Sequence, residues 1–521
     1  MAWPPLNKSG SRWILAATGL AMAVCLAYVA WDTRHWLLVN DPAQLDYVCF
    51  MIGRGWVPYG QMMEMNMPGI YMVNSTVMHV LGGGPLAWRL FDLALMLAML
   101  GGMLRIAGKR EWYAGLLGGL LFALAHQADG AANLGQRDLI IAVLVMWAYA
   151  LLFAGLREGE WHVMAGMGFF LGAAGTVKPT PLPFAIVLIA WMAWRWRKLG
   201  YRAVWKPVVA ACVGVALPLA GEAAWLVVHH AVHPLLYVLR VQIPFYTTIA
   251  RPGYAGLLTI SFPFALSIFV LMLCAVVLLR RQTWADWEHS MLVLGFLFGL
   301  VCIIVQHKGF VYHRYTMLAF LFLWASLQLT RAMQETAKPR VQWLAAVAML
   351  FAVYLSVDYA TMAHNTAWLE DYDNAVTADL KKLGGAKLDG LDGRMQCLTT
   401  QADCNTTLYR LKLAQSTGLI YDFFIFDSSS AQAVKDARQR FWQQMMADPP
   451  AVILMGQGPF PSGKPGYDRL QNWPQLADYV QRNYVVFDER DDLPRDQLNR
   501  ELGFRMYVLC SFLQQKSGAA S

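Results

Sequence analysis

From Trp13 to about Trp31 the chain runs without one charged side chain, behind Lys8 and Arg12. Further apolar runs follow at about 85–104, 112–126, 138–156, 163–177, 180–194, 207–228, 255–279, 290–306, 315–330 and 341–358. Most have about the length of helix needed to cross a hydrocarbon core near 30 Å thick, a length that a water-soluble core helix seldom needs. They predict an α-helical polytopic membrane protein with about eleven transmembrane helices, of which those near Val163–Val177 and Pro181–Trp194 are short. The first run is longer than the apolar core of a typical cleaved signal peptide and reads as a retained helix.

Charge is scarce. Charged residues make up 15% of the 521 positions and hydrophobic ones 57%, whereas a globular domain carries about 25% charged residues. The net charge of +8 does not point to nucleic acid, because Lys and Arg lie between the apolar runs and not in one basic patch. With the N-terminus in the cytoplasm, the cytoplasmic loops hold Arg105, Lys109 and Arg110; Arg157; Arg195, Arg197, Lys198, Arg202 and Lys206; Arg280 and Arg281; and Arg331, Lys338 and Arg340. The opposite loops hold about half as many, which is the bias expected of a membrane protein so oriented. An odd number of spans then puts everything after Asp358 outside.

Two regions result: a transmembrane domain over 1–361, with a first outer loop at about 32–84, and a soluble α/β domain over 362–521. The first outer loop is too polar to span but rich in Met, Trp and Tyr, which suits short helices lying in the membrane interface. Beyond Met362, helical patterns at Ala431–Ala447 and Trp473–Arg482 alternate with short apolar strands at Ala451–Met455, Tyr484–Phe487 and Phe504–Leu509. The Gly/Pro loop Gly456–Tyr467 lacks the Gly-Lys-Ser/Thr ending of a phosphate-binding P-loop. Cys25, Cys212, Cys274 and Cys302 sit in apolar runs as small hydrophobes. Cys397 and Cys404 stand close together in a polar segment, and their pairing is left open by the sequence.

Chemistry-bearing residues gather in the outer loops. Asp41, Asp46 and Glu64 are three acids beside a membrane surface in a chain with few acids. An Asp there can take the proton of a hydroxyl; equally, Asp41 before Pro42 suits the N-cap of an interfacial helix. Arg137 and Asp138 mark the mouth of the fourth span, Lys178 the turn between the fifth and sixth, and Lys308 to Tyr315 the opening of the tenth. Lys178, Arg137, Lys308 and Arg314 are cations at helix ends, where such side chains commonly snorkel to the interface or bind an anionic headgroup. His229 and His233 have the spacing of some zinc ligands but no third ligand in view.

The first outer loop resembles that of the GT-C glycosyltransferases, in particular the glycosyltransferase family 39-like group of protein O-mannosyltransferases and lipid A aminoarabinose transferases. That group carries an Asp-Glu pair after the first helix, then a Gly-x-x-Pro-Tyr turn and a polar-Pro-Pro-x-x-Tyr segment. Asp41 matches the Asp, Gly55-Trp56-Val57-Pro58-Tyr59 the turn, and Asn66-Met67-Pro68-Gly69-Ile70-Tyr71 the last element. Pro42 stands where the Glu is usual, which leaves Asp46, Glu64 or Asp138 as a possible second acid. Lys178-Pro179 and Lys308-Gly309-Phe310-Val311-Tyr312-His313 are similar to segments of bacterial members.

The resemblance implies an inverting transferase that takes a sugar from a polyprenyl-phosphate donor, at the periplasmic face of a bacterial inner membrane, to a lipid, glycan or protein acceptor. Asp41 would be the base and Arg137, Lys178 and Arg314 the phosphate ligands. Tyr59, Lys308, Tyr312 and His313 would line the site. A divalent metal ion bridging Asp41 and the phosphate is compatible with this, though no ligand set stands out. The competing expectations are a transporter or flippase of a lipid-linked or anionic solute, and a polysaccharide polymerase or ligase.

Overall fold

The computed structural model describes residues 5–249, 251–261, 266–279, 287–335, 338–362, 367–400, 404–460, 464–495 and 502–519. Arg280 and Arg281, and residues 461–463 of the Gly/Pro loop, lie outside the described residues. Among the described residues every apolar run is helical, as a backbone in hydrocarbon must be to satisfy its own N–H and C=O groups. In chain order the helices are α1 (Lys8–Asp32), α2 (Asn40–Gly53), α3 (Pro68–Leu81), α4 (Gly84–Ala107), α5 (Trp112–Ala128), α6 (Arg137–Glu158), α7 (Val163–Val177) and α8 (Pro181–Lys198). They continue with α9 (Trp205–Val228), α10 (Val232–Tyr237), α11 (Ile243–Thr248), α12 (Tyr254–Ser261), α13 (Leu266–Leu278), α14 (Trp287–Gln306), α15 (Tyr315–Glu335) and α16 (Pro339–Met362).

Seven of these, α1, α4, α6, α9, α14, α15 and α16, are long and apolar enough to cross a membrane. The run at 255–279 is met by α12 and α13 on either side of undescribed residues 262–265. The two runs read as short are helices α7, whose 15 residues lie against α6 and α9, and α8, of 18 residues; α5, of 17, buries nearly all of its residues. Burial ranks the long helices too. The apolar window of α15 is 94% buried and that of α9 only 17%, so α15 is the central post and α9 a lipid-facing one.

The first loop folds into two helices, α2 and α3, as its composition suggests. One local expectation fails: α2 begins at Asn40, its N-cap is Val39, and Asp41 sits inside the first turn without capping it. The Asp41 carboxylate instead reaches across to Arg137, 2.6 Å away.

After Met362 come α17 (Ala367–Gly384), β1 (Met395–Leu398), α18 (Cys404–Leu411), α19 (Phe423–Phe426), α20 (Gln432–Ala447), β2 (Val452–Gly456), α21 (Pro474–Asn483), β3 (Tyr484–Arg490), β4 (Phe504–Leu509) and α22 (Cys510–Ala519). The sheet order is β1-β2-β4-β3, with β1 parallel to β2 and the other pairs antiparallel. The three expected strands are present. β1 is an addition: four buried residues offer no alternation to read. Cys397 at its edge is disulfide-bonded to Cys404, Cα–Cα 6.0 Å, which resolves the pairing.

This segment docks on the first loop. Gln444 Nε2 donates to the Gln61 carbonyl at 2.9 Å, Arg440 to that of Tyr59 at 3.0 Å, and Gln44 to that of Thr400 at 3.0 Å. The Met63 N–H donates to Gly418 O at 2.7 Å. Loop and C-terminal segment therefore close over one face of the helix bundle.

Candidate active site

Between them lies a cavity of about 620 Å³. Its walls come from α2, the turn before α6, the α7–α8 turn, α11, the segment before α15 and the C-terminal segment. Asp41 and Arg137 meet inside it, with side chains 27% and 16% exposed, open enough to be reached and shielded enough to matter. Tyr312 donates its hydroxyl to the same Asp41 Oδ2 at 3.0 Å. Among the described residues Oδ1 makes no hydrogen bond, which leaves it available to a hydroxyl donor.

Lys178 caps the C-terminus of α7 and lines the same cavity. Its ammonium donates to Asp138 Oδ2 at 2.6 Å and Gln306 Oε1 at 2.7 Å, and lies 5.9 Å from the Tyr312 ring centre. Burial pushes this lysine below its usual range, and Asp138 opposes the push. Lys308 closes the far side, donating to Tyr246 O at 2.6 Å and to Ile249 O. Burial, helped by the charge of Arg251, lowers Lys308 to about 8. His313 also lines the cavity. Asp41, Arg137, Lys178, Lys308, Tyr312 and His313, scattered over more than 270 residues, are thus brought together.

Other expected site residues are not at the wall. Asp46 is five residues beyond Asp41 on one helix, which turns it about 140° away. It is fully buried, accepts from Trp88 Nε1 at 2.5 Å and Asn74 Nδ2 at 3.2 Å, and burial raises it to about 7. Glu64 folds back on its own loop, accepting from the N–H groups of Met65 and Asn66 at 2.7 and 2.8 Å, and burial raises it too. Asp138 is turned to Lys178. Arg314, one residue past His313 in a tight 3-10 turn, is wholly buried and paired with Asp129 inside the bundle. Tyr59 is buried and spends its hydroxyl on Asn66 O at 2.6 Å. These residues shape the site from behind.

Residue-type reasoning missed two groups. Tyr246 of α11 and Thr400, Tyr421, Phe423 and Phe460 of the C-terminal segment line the cavity. The rings form a chain, Tyr246–Phe423 5.7 Å, Phe423–Phe460 5.4 Å and Phe460–Phe310 6.4 Å, that joins membrane loops to the C-terminal segment. The run Phe423-Phe424-Ile425-Phe426 was the visible signal. Behind the cavity, Asp92 takes the N–H of Gly135 at 3.0 Å and His126 Nε2 at 2.8 Å, while Arg89 bridges to Asp92 and Gln127 at 3.2 and 2.6 Å. Among the described residues no three His, Cys, Asp or Glu stand together as metal ligands, His229 and His233 included.

The fold, a helical bundle whose first loop and C-terminal mixed sheet close over a cavity, is that of the GT-C membrane glycosyltransferases. Solved structures of that kind superpose on nearly the whole chain. ArnT from Cupriavidus metallidurans in the apo state matches with a TM-score of 0.57 and 15% identity, over 95% of this chain and 99% of that one. The same protein bound to undecaprenyl phosphate matches with a TM-score of 0.55 and 14% identity, over 95% and 98%. The apo oligosaccharyltransferase of Archaeoglobus fulgidus matches with a TM-score of 0.51 and 11% identity, over 86% and 69%. No protein-family model and no curated protein matches the sequence. The chain is a multi-pass membrane protein with the GT-C fold.

Proposed function

We propose that this protein is an inverting glycosyltransferase that moves a sugar from a polyprenyl-phosphate donor to an acceptor hydroxyl. The observation that carries the reading is the Asp41–Arg137 pair in a cavity that also holds Lys178. The likeness to a structure bound to undecaprenyl phosphate supports the donor class. Asp41 Oδ1 accepts the acceptor's proton, and the acceptor oxygen forms its bond to the anomeric carbon opposite the phosphate. The bond from that carbon to the phosphate oxygen breaks, and its electron pair leaves with the lipid phosphate. Arg137 and Lys178 stabilise the charge that develops there. No group of three metal-ligating side chains stands together among the described residues, and no step is routed through a divalent ion.

The remaining assignments are parts of the same reading. Residues 1–361 form the catalytic membrane domain, and 362–521 an outer domain whose Thr400, Tyr421 and Phe423 contact the acceptor. The site faces the periplasm of a bacterial inner membrane, with the N-terminus in the cytoplasm. The transporter reading draws on one observation, the buried Arg89–Asp92–His126 cluster, since ionisable residues at membrane depth often mark solute paths. One experiment separates the two: protein in nanodiscs is given radiolabelled polyprenyl-phosphate sugars and release of free lipid phosphate is followed. Turnover that disappears in Asp41→Asn while donor binding persists supports the transferase. A donor that crosses the bilayer without turnover supports transport.

A further inference from the structure

We propose that Asp46 is a positioning residue: by holding the Trp88 indole it clamps the Gly135 turn and so fixes the direction in which Arg137 enters the cavity. Trp88 and Asp92 are four residues apart on α4, hence on one helix face, and both press on Gly135. Asp92 accepts the Gly135 N–H at 3.0 Å. The indole lies so close that a Cβ on Gly135 would stand 2.6 Å from Trp88 Cζ3. Gly135 has φ +59°, a left-handed backbone that glycine adopts without strain.

The indole is itself held. It is fully buried among Leu38, Ala43, Val77 and Ala87. Its Nε1 donates to Asp46 Oδ2 at 2.5 Å, and Asn74 Nδ2 holds the other carboxylate oxygen at 3.2 Å. Turning the ring would strand a buried N–H without a partner. Arg137 is two residues past Gly135, at the first position of α6, and reaches Asp41 at 2.6 Å. The chain of contact therefore runs from α2 through α4 to the Asp41 partner, although Asp46 itself is not at the cavity wall. The functional consequence rests on the reading of Arg137 as a phosphate ligand; the clamp itself does not.

The test compares Asp46→Ala, Asp46→Asn and Trp88→Phe with wild type in nanodiscs. Hydrogen exchange is read at Gly135–Arg137, and binding of undecaprenyl phosphate by native mass spectrometry. The expected result is at least tenfold faster exchange at the turn in Asp46→Ala and Trp88→Phe, with α15 unchanged, and at least fivefold weaker binding. Asp46→Asn keeps an acceptor for the indole and stays within about twofold on both readouts. Asp46→Ala adds nothing to the binding loss of Arg137→Ala, because it acts through Arg137. Should Trp88→Phe fail to fold, the Asp46 pair decides alone. Unchanged exchange at Gly135 in Asp46→Ala overturns the clamp. So does an Asp46→Asn variant as impaired as Asp46→Ala, since charge and not hydrogen bonding would then matter, and so do additive effects with Arg137→Ala. A turn that loosens as expected in a protein that binds no undecaprenyl phosphate upholds the clamp and removes the phosphate reading.

Discussion

Arg137→Lys separates a phosphate ligand from a helix-end cation. A snorkelling cation needs only charge and reach, both of which lysine keeps. The structure asks more of this residue: its Nη2 donates to Asp41 Oδ2 at 2.6 Å, while Tyr312 donates to the same oxygen at 3.0 Å. In the proposed reaction the rest of the guanidinium must meet the phosphate in the same geometry, which a planar fork allows and a single ammonium does not. A hydrogen bond to a charged group is worth about 1.5–3 kcal/mol, and about 1.4 kcal/mol is tenfold in rate. Losing one such bond should therefore lower kcat/KM for the donor roughly ten- to hundredfold. The side chains are 16% and 27% exposed, so solvent screening does not remove the effect. The assay is steady-state release of lipid phosphate in nanodiscs, with melting temperature as the control for folding. A lysine variant within threefold of wild type would refute the argument, because charge alone would then suffice.

Three further outcomes follow from the same geometry. Replacing Cys397 and Cys404 by Ser opens a link that spans seven residues; loop entropy makes the closed form worth about 2–3 kcal/mol, so the unfolding free energy read from chemical denaturation should fall by that amount. Lys308, held at about 8, loses its charge as pH rises through that value; donor affinity should fall above it in wild type, and Lys308→Arg, which stays charged, should flatten the fall in a binding titration. Asp46 is raised to about 7 by burial. Its contribution to stability is full below its unfolded value of about 3.9 and is lost as pH rises through about 7; melting temperatures of Asp46→Asn between pH 5 and 8 should vary less than those of wild type.

What could be read before the fold was known follows from where a membrane protein can keep charge. Between apolar runs, a loop such as Thr176–Thr180 holds a single cation, so Lys178 stands out and turns up in the cavity. The same contrast exposes Asp41, Arg137 and Tyr312. It vanishes after Met362, where polar residues are ordinary, and that is why Thr400, Tyr421 and Phe460 escaped notice despite lining the same wall. Two misses had a signal in the sequence. Asp41 and Asp46, five apart on an expected interfacial helix, could not share a face. Arg89 and Asp92 lie within an apolar run, where charge at membrane depth calls for a partner. The partners of Asp92 (His126 and the Gly135 N–H) and those of Arg89 (Gln127 and Thr33) come from other segments, and no periodicity in the run 85–104 names them. Tertiary contact alone turns the acids that looked catalytic into supports, and leaves Asp41 as the acid whose neighbours match the work assigned to it.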